Sequence, residues 1–362
     1  MDFFEIETQP DFEGFRRCVL RQAEPARVHN IELLLDEEVI SAVAHRFDLV
    51  GKLNPNEANY RLQRDTAVHR FLGYDMFPVA VPGFAFTIHW NKAAETDEKG
   101  GQTQRSRNWI EEHRGPISSW DDFEQYPWPS LKNLDTRPLQ WCEKNLPEGM
   151  AVYCWNDQVF ERLFGLFGYE NLCLKLCDEP ELVEAVAQKA GELCVGFTEV
   201  LCQFARVGAI FDSDDLGFRS QTLLSPQWLR KLVLPWHKKS ARVAHEHGKL
   251  YFLHSCGNVE SLMEDFIEDV GVDAKHSFED AIMPVTEVKR KYGNRIGILG
   301  GIDVDFLCRR DEQEIRKRVR QTLDVCQPGG GYVLGSGNSI PNYMPLDHYL
   351  AMLDESRKYG RG

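Results

Sequence analysis

The sharpest chemical signal in the sequence is a histidine and a cysteine two residues apart, in His254-Ser255-Cys256. At the end of an extended strand, side chains with this spacing project to one side and can reach a single metal ion. Imidazole nitrogen and thiolate sulfur are good zinc ligands, and open catalytic zinc sites use three protein ligands. The pair therefore predicts part of a zinc site. The alternative is that Cys256 is a small buried hydrophobe and His254 a hydrogen-bonded loop residue.

Three aspartates, Asp212, Asp214 and Asp215, come together after one apolar run. Crowding like charges in a pocket should raise the pKa of at least one carboxyl, which could then donate a proton or hold a polar substrate. Asp214 and Asp215 are therefore predicted to line an active site. Helix capping is the alternative for these residues.

Two more acidic positions are candidates for catalysis. Glu279 and His276 end a later apolar run and could supply a metal ligand or a base, although His276 could equally be exposed. Asp303 follows Gly300-Gly301, a pair that permits a tight turn whose amides an aspartate can cap. We therefore predict either a catalytic residue or a loop anchor at Asp303.

A further polar group, Gly335-Ser336-Gly337-Asn338-Ser339, follows the last apolar run. Ser336 and Asn338 are predicted to bind substrate, together with Cys154. These groups all come directly after apolar runs, and in an α/β barrel the carboxyl ends of the strands meet on the face that carries catalytic groups. The sequence thus predicts one shared pocket.

Short β-rich runs alternate with longer amphipathic stretches from about residue 150, a pattern typical of parallel strands joined by helices. Helices are predicted at 180–204, where Pro180 suits a first turn, and at 226–247. Eight strands are available, which suits a (β/α)8 TIM barrel of the α/β class. The predicted strands are 28–33, 78–82, 151–155, 207–212, 249–254, 271–275, 296–300 and 331–335.

The chain is predicted to be a single barrel domain over 1–362, with a mainly helical N-terminal part over 1–75 and the main β/α repeat over 150–340. Length alone allows one or two domains. Residues 91–130 are polar and Gly-rich, then aromatic and Pro-rich, which predicts an inserted excursion, in which Trp120 to Pro129 keeps no regular element.

Composition excludes several classes of partner. The 362 residues carry a formal charge of −14, and Lys/Arg clusters that would bind phosphate backbones are missing, so nucleic acid is not expected. The sequence has no apolar run near the roughly 18 residues of a membrane helix. Ten scattered cysteines and an acidic start predict a reducing cytoplasm.

Taken together, the motifs resemble the uroporphyrinogen decarboxylase superfamily, and within it the zinc-dependent corrinoid (methylcobamide) methyltransferase branch. The resemblance extends over nearly the whole chain and implies a (β/α)8 barrel with its pocket at the C-terminal face. Its more specific pieces include Trp120-Asp121-Asp122-Phe123, Asp214-Asp215-Leu216-Gly217, His254-Ser255-Cys256-Gly257-Asn258, Gly271-Val272-Asp273, Gly300-Gly301-Ile302-Asp303 and Gly329-Gly330-Gly331-Tyr332.

The resemblance implies a zinc ion held by His254, Cys256 and a further cysteine of a Gly-Cys-Gly segment, beside a corrinoid carried by a separate protein. It also suggests a homodimer. Here the third position is Ser336, and a serine hydroxyl is a poor zinc ligand. Either Glu279, an aspartate of 212–215 or Cys154 completes the set, or the metal is absent and the pair has another use.

The resulting hypothesis is a methyltransferase that moves a methyl group between a small substrate and a corrinoid, using zinc. One alternative is a metal-independent decarboxylase of uroporphyrinogen or a related carboxylated compound, with Asp214 or Asp215 polarising the site. The early arginine-containing segment by which such decarboxylases resemble one another is not matched here, since Arg21-Gln22-Ala23 continues as Glu24-Pro25. Another is a non-catalytic barrel that binds a tetrapyrrole or corrinoid, which the departure at Ser336 would explain.

Overall fold

The computed structural model describes residues 3–96, 102–157 and 159–359. A curled sheet of seven parallel strands, in the order β1-β4-β5-β6-β7-β8-β9, forms the centre of the fold. Two further strands, β2 and β3, pair as an antiparallel hairpin. The strands are β1 (Met76–Pro78), β2 (Trp90–Thr96), β3 (Gln102–Ile110), β4 (Ala151–Asp157), β5 (Val207–Ser213), β6 (Leu250–His254), β7 (Ala274–His276), β8 (Gly297–Leu299) and β9 (Tyr332–Val333).

Helices connect the strands and cover the outside of the sheet, as crossover connections between parallel strands require. They are α1 (Phe12–Val19), α2 (Glu37–Arg46), α3 (Tyr60–Phe71), α4 (Trp120–Gln125), α5 (Arg137–Asn145), α6 (Val159–Phe167), α7 (Tyr169–Asp178), α8 (Pro180–Cys202), α9 (Pro226–Leu232), α10 (Leu234–Glu246), α11 (Val285–Tyr292), α12 (Val304–Arg309), α13 (Glu312–Cys326) and α14 (Leu346–Lys358). Within the described part of the chain, none of the helices combines the length and apolar character needed to cross a bilayer.

Alternate residues of each strand pack on opposite faces of the sheet, because side chains alternate along an extended strand. Tyr153, Phe211 and Phe252 belong to an inner cluster enclosed by the sheet. Ile210 and Tyr251 belong to the larger cluster between sheet and helices. Both faces are therefore apolar, which explains why the strands read as nearly continuous hydrophobic runs.

The six predicted strands between 151 and 335 are present, with ends shifted by up to three residues. The predicted strand 78–82 is instead β1, which begins two residues earlier. The predicted helix 180–204 is α8, and it begins at Pro180 as expected. The predicted helix 226–247 is divided into α9 and α10 near Pro235, because a proline lacks an amide proton and clashes with the preceding turn.

The predicted strand 28–33 is not a strand, so the closed eight-stranded barrel expected from the sequence is not established. Within the described residues, this segment makes one isolated parallel bridge, Asn30 to Leu334 beside β9. After Asn30, two carbonyl groups of this segment accept hydrogen bonds from a side chain and not from the backbone of a neighbouring strand. The Tyr153 hydroxyl donates to the Glu32 and Leu33 carbonyls, at 2.6 and 3.0 Å.

The excursion at 91–130 is more regular than predicted. Its first half contains β3 and most of β2, with Trp90 opposite Ile110, and residues 97–101 lie outside the described residues. The aromatic tract begins with α4, where no regular element was expected. The Ser119 hydroxyl accepts the Asp122 amide, a local N-cap that supports this short helix.

Candidate metal centre

Parallel register brings polar side chains of three strands to one level at the carboxyl edge of the sheet. Ser213 of β5 pairs with His254 of β6, and His254 pairs with His276 of β7. Paired residues of neighbouring strands project to the same face, here the inner face that also carries Phe211. His254 and His276 are both buried. The structure therefore buries His276, whose exposure the sequence left open.

Just beyond these strand ends, Asp215, His254 and Cys256 bring together three groups able to bind a metal. One ligand atom from each lies within 4.8 Å of the others. The His254 Nε2 atom is 3.3 Å from the Cys256 sulfur and 3.5 Å from Asp215 Oδ1. The Cys256 amide also donates to Asp215 Oδ1, at 2.8 Å. We call these three residues the Asp-His-Cys cluster.

The spacing of the Asp-His-Cys cluster fits zinc. Bonds of about 2.0–2.3 Å in a tetrahedral arrangement place neighbouring ligand atoms roughly 3.4 Å apart. The separations involving His254 Nε2, 3.3 and 3.5 Å, match this value. One nitrogen, one sulfur and one carboxylate oxygen are also ligand types that zinc accepts.

His276 can fix the orientation of the His254 ring. The two Nδ1 atoms are 2.8 Å apart, so one ring donates to the other. When His254 donates through Nδ1, its Nε2 atom keeps the lone pair that a metal requires. A histidine ligand is commonly held in this way by a hydrogen bond to its second nitrogen.

His254 and Cys256 differ in whether they must lose a proton before they can bind a metal. Burial, and secondarily the charge of Lys275, lower the pKa of His254 to about 3, so its imidazole is neutral near pH 7. Burial, and secondarily Asp215, raise the pKa of the Cys256 thiol to about 12. His254 is thus ready to bind, whereas Cys256 must release a proton when a metal enters.

Lys275 is a buried cation next to the cluster, and it was not among the predicted site residues. Its Nζ atom donates to the carbonyls of Ser255, His276 and Ser277, at 3.2, 3.0 and 2.8 Å. Burial lowers the pKa of Lys275 to about 8. These bonds tie the ends of β6 and β7 together. The sequence signal that could have pointed to this residue was a charged side chain inside the predicted strand 271–275.

Two polar side chains donate toward the Cys256 sulfur. The Ser277 hydroxyl lies 3.4 Å from the sulfur and the Asn338 amide nitrogen 3.3 Å from it. Ser277 was not predicted, and its φ of 78° is a left-handed conformation that is unfavourable for a residue other than glycine. Hydrogen bonds of this kind stabilise a thiolate.

Ser336, the residue at the family's third cysteine position, is bound to Glu32. Its hydroxyl donates to Glu32 Oε2 and its amide to Glu32 Oε1, the latter at 2.9 Å. Both side chains are buried. Burial raises the pKa of Glu32 to about 8, although the two bonds from Ser336 act in the opposite direction. Glu32 lay unnoticed within the apolar run 28–33.

Several predicted residues lie outside the cluster, and Glu279, Cys154 and Asp303 are among them. Glu279 is exposed and accepts the Gly257 amide at 3.3 Å, and it is not one of the three grouped ligands. Cys154 is buried in the core between sheet and helices. Asp303 caps α12 through the Phe306 amide, which is the loop-anchor interpretation.

Asp214 is separated from the cluster although it neighbours Asp215. It is completely buried, and its carboxylate accepts the amides of Phe160 and Glu161 at the start of α6. His237 Nε2 lies 3.0 Å from the same carboxylate. These contacts agree with the helix-capping alternative, whereas Asp215 is partly exposed at the site.

We expect Asp214→Ala to lower the free energy of unfolding by about 3 kcal/mol, because the amides of Phe160 and Glu161 lose their buried acceptor and His237 loses one of its two partners. Asp215→Ala should cost about 1 kcal/mol or less, since it removes one hydrogen bond at a partly exposed site. Denaturant unfolding of the two variants checks this contrast. Equal losses would show that Asp214 does not anchor α6.

The fold and the cluster define an α/β protein with a candidate metal site at the carboxyl edge of a parallel sheet. The chain belongs to the uroporphyrinogen decarboxylase (URO-D) family, whose model matches residues 164–359, more than half of the chain. The matched region includes β5 to β9 and thus the whole Asp-His-Cys cluster. Among curated proteins, none matches this chain.

Among solved structures, a methyltransferase from Methanosarcina mazei is similar over 97% of this chain and 99% of its own, with a TM-score of 0.68 and 14% identity. At this identity the similarity shows a shared fold. A Listeria monocytogenes protein described as a vitamin-B12-independent methionine synthase covers 98% of both chains, with a TM-score of 0.49 and 10% identity.

Proposed function

We propose that this protein is a methyltransferase that moves a methyl group between a small substrate and a corrinoid carried by a separate protein, with zinc bound by Asp215, His254 and Cys256. The observation that carries the proposal is the spacing of the three ligand atoms, all within 4.8 Å. The fold shared with a Methanosarcina mazei methyltransferase supports it.

In this proposal Asp215 supplies the ligand that the family's third cysteine would otherwise provide. Its Oδ1 atom is 3.5 Å from His254 Nε2, whereas Ser336 is bound to Glu32. Zinc, when bound, would act as a Lewis acid that lowers the pKa of a thiol or other acceptor. A partly exposed carboxylate ligand would leave that side of the site accessible to the substrate.

The chain's own residues hold and orient the reacting partners. His276 orients His254, and Ser277 and Asn338 donate toward the Cys256 sulfur. During transfer the bond from the methyl carbon to its donor atom breaks, and the electron pair stays on the donor. The acceptor supplies the pair for the new bond to carbon, so the transfer requires no separate oxidant or reductant.

The assay uses zinc-supplied protein, methylcobalamin as methyl donor and 2-mercaptoethanol as acceptor, and follows the loss of the methylcobalamin absorption. We expect wild type to accelerate the loss and His254→Ala to reduce the enzymatic rate by at least about 100-fold. Arg137→Gln, a change at an exposed residue of α5, serves as control. A folded, zinc-bearing wild type that fails to accelerate transfer would count against the proposal.

The family match itself favours a second candidate, a metal-independent decarboxylase of uroporphyrinogen or a related compound. Asp215 would be its polarising residue, because Asp214 is buried and bound to α6. Release of carbon dioxide from uroporphyrinogen by zinc-free protein, lost in Asp215→Asn, would support this candidate. Tetrapyrrole binding without turnover would instead indicate a non-catalytic barrel.

A further inference from the structure

A cavity of about 310 Å³ lies at the carboxyl ends of β4 and β5. Described residues of its wall include Leu33, Phe84, Trp155, Arg162 and Ser213. A volume at the lower end of the range for ligand sites suits a small molecule.

The wall of the cavity is largely apolar, and it includes three aromatic side chains, Phe84, Trp155 and Phe197, whose rings are held in place. Phe84 stacks on Phe197, with ring centroids 4.5 Å apart and an angle of 25° between the planes. The Trp155 indole nitrogen donates to the Leu33 carbonyl at 3.3 Å, which fixes the indole. Rigid aromatic faces favour a flat, apolar ligand body, which gains from stacking on them.

Arg162 is the charged side chain among the described residues that line the cavity. Its guanidinium lies over the Phe86 ring, 4.8 Å from the centroid, a stacking contact that limits its motion. A planar guanidinium can donate two parallel hydrogen bonds to one carboxylate, a geometry that lysine cannot reproduce. The cavity thus combines an apolar slot with one anchor for a carboxylate.

The cavity is next to the Asp-His-Cys cluster. Ser213 lines the cavity, and it is the register partner of His254 on the adjacent strand. Adjacent strands are about 4.8 Å apart. A ligand whose carboxylate meets Arg162 and whose ring lies against Trp155 would extend its far end past Ser213 toward His254.

We propose that this cavity binds a small aromatic carboxylate as the methyl-transfer substrate. This inference rests on the proposed function for the role of the ligand, although binding itself does not depend on it. The carboxylate pairs with Arg162, the ring stacks against Trp155 and Phe84 in the apolar wall, and the substituent that carries the methyl group faces the cluster.

Isothermal titration calorimetry with 4-methoxybenzoate tests the proposal. We expect one binding site per chain in wild type, with binding at least about tenfold weaker in Arg162→Gln because a charge-assisted pair is lost. A second test removes the charge from the ligand and not from the protein, so its result does not depend on whether a variant folds. The neutral 4-methoxybenzamide should therefore also bind wild type about tenfold more weakly.

Arg70→Gln is the matched control. Arg70 lines a second cavity of about 370 Å³, with Phe4, Phe71 and Arg357 in its wall. The Arg70→Gln change therefore removes one positive charge from a comparable cavity elsewhere in the protein. Binding lost in Arg70→Gln and kept in Arg162→Gln would place the probe in that second cavity and overturn the inference. Equal affinity for the acid and the amide would overturn it as well.

The outcomes separate this inference from the proposed function. Binding of 4-methoxybenzoate that depends on Arg162, without methyl transfer, would support the ligand class and count against the transferase. Zinc-dependent transfer that works with a small amine donor, in a protein that does not bind the acid, would support the transferase and overturn the ligand class.

Discussion

His254→Ala should lower the affinity for zinc by more than about 100-fold, since even residues that only support a metal ligand contribute 10–100-fold. The variant removes the nitrogen that lies 3.3 Å from the Cys256 sulfur and 3.5 Å from Asp215 Oδ1. Competition against a chelator of known affinity measures the change. Because Cys256 must lose a proton on binding, wild-type affinity should also rise with pH.

The matched control for this prediction is His245→Ala. His245 lies on α10, and its Nε2 atom is 2.8 Å from Asp273 Oδ2, outside the Asp-His-Cys cluster. This change should leave zinc affinity within about twofold of wild type, because it removes no ligand. Both variants must unfold cooperatively near the wild-type temperature. Equal zinc affinity in wild type and a folded His254→Ala variant would rule out the site.

Glu32→Gln should stabilise the protein by about 3 kcal/mol at pH 7, because Glu32 is buried with its pKa raised from 4.5 to about 8. Between these two values the native carboxyl keeps a proton that the unfolded chain has released. Stability contributed by Glu32 is therefore complete below the unfolded value and is lost as the pH rises toward about 8. Glutamine removes this loss and can still accept a hydrogen bond from Ser336.

Denaturant unfolding of wild type and Glu32→Gln at several pH values tests this prediction. The difference in unfolding free energy should grow in favour of the variant by about 3 kcal/mol between about pH 5 and about pH 8. Glu13→Gln, at an exposed position of α1, should show a nearly constant difference. A pH-independent difference for Glu32→Gln would mean that the native carboxyl is ionised throughout.

The sequence predicted the repeated part of the fold well because its strands are apolar on both faces and separated by amphipathic helices. β4, β5 and β6 lie where the apolar runs indicated. The H-x-C pair was recognisable for a related reason. A strand end fixes the direction of His254, and Cys256 follows it closely enough to reach the same space.

What could not be predicted depended on contacts between distant segments. The partnership of Glu32 with Ser336 joins residues 304 positions apart, and no local pattern encodes it. The same holds for Asp214, whose burial depends on α6 and His237. Cys154 is different, because Tyr153 faces the inner cluster and the strand period of two directs its neighbour outward. The outward direction of Cys154 could therefore be predicted from the sequence once the residues of the inner face were known.

The most direct test of the central claim is X-ray absorption at the zinc edge of wild-type protein prepared with zinc. The Asp-His-Cys cluster predicts one sulfur at about 2.3 Å and nitrogen or oxygen ligands at about 2.0–2.2 Å. One sulfur would agree with Cys256 as the only thiolate and with Asp215 in place of a further cysteine. Two sulfurs, a shell without sulfur, or a folded protein that retains no zinc would contradict this assignment.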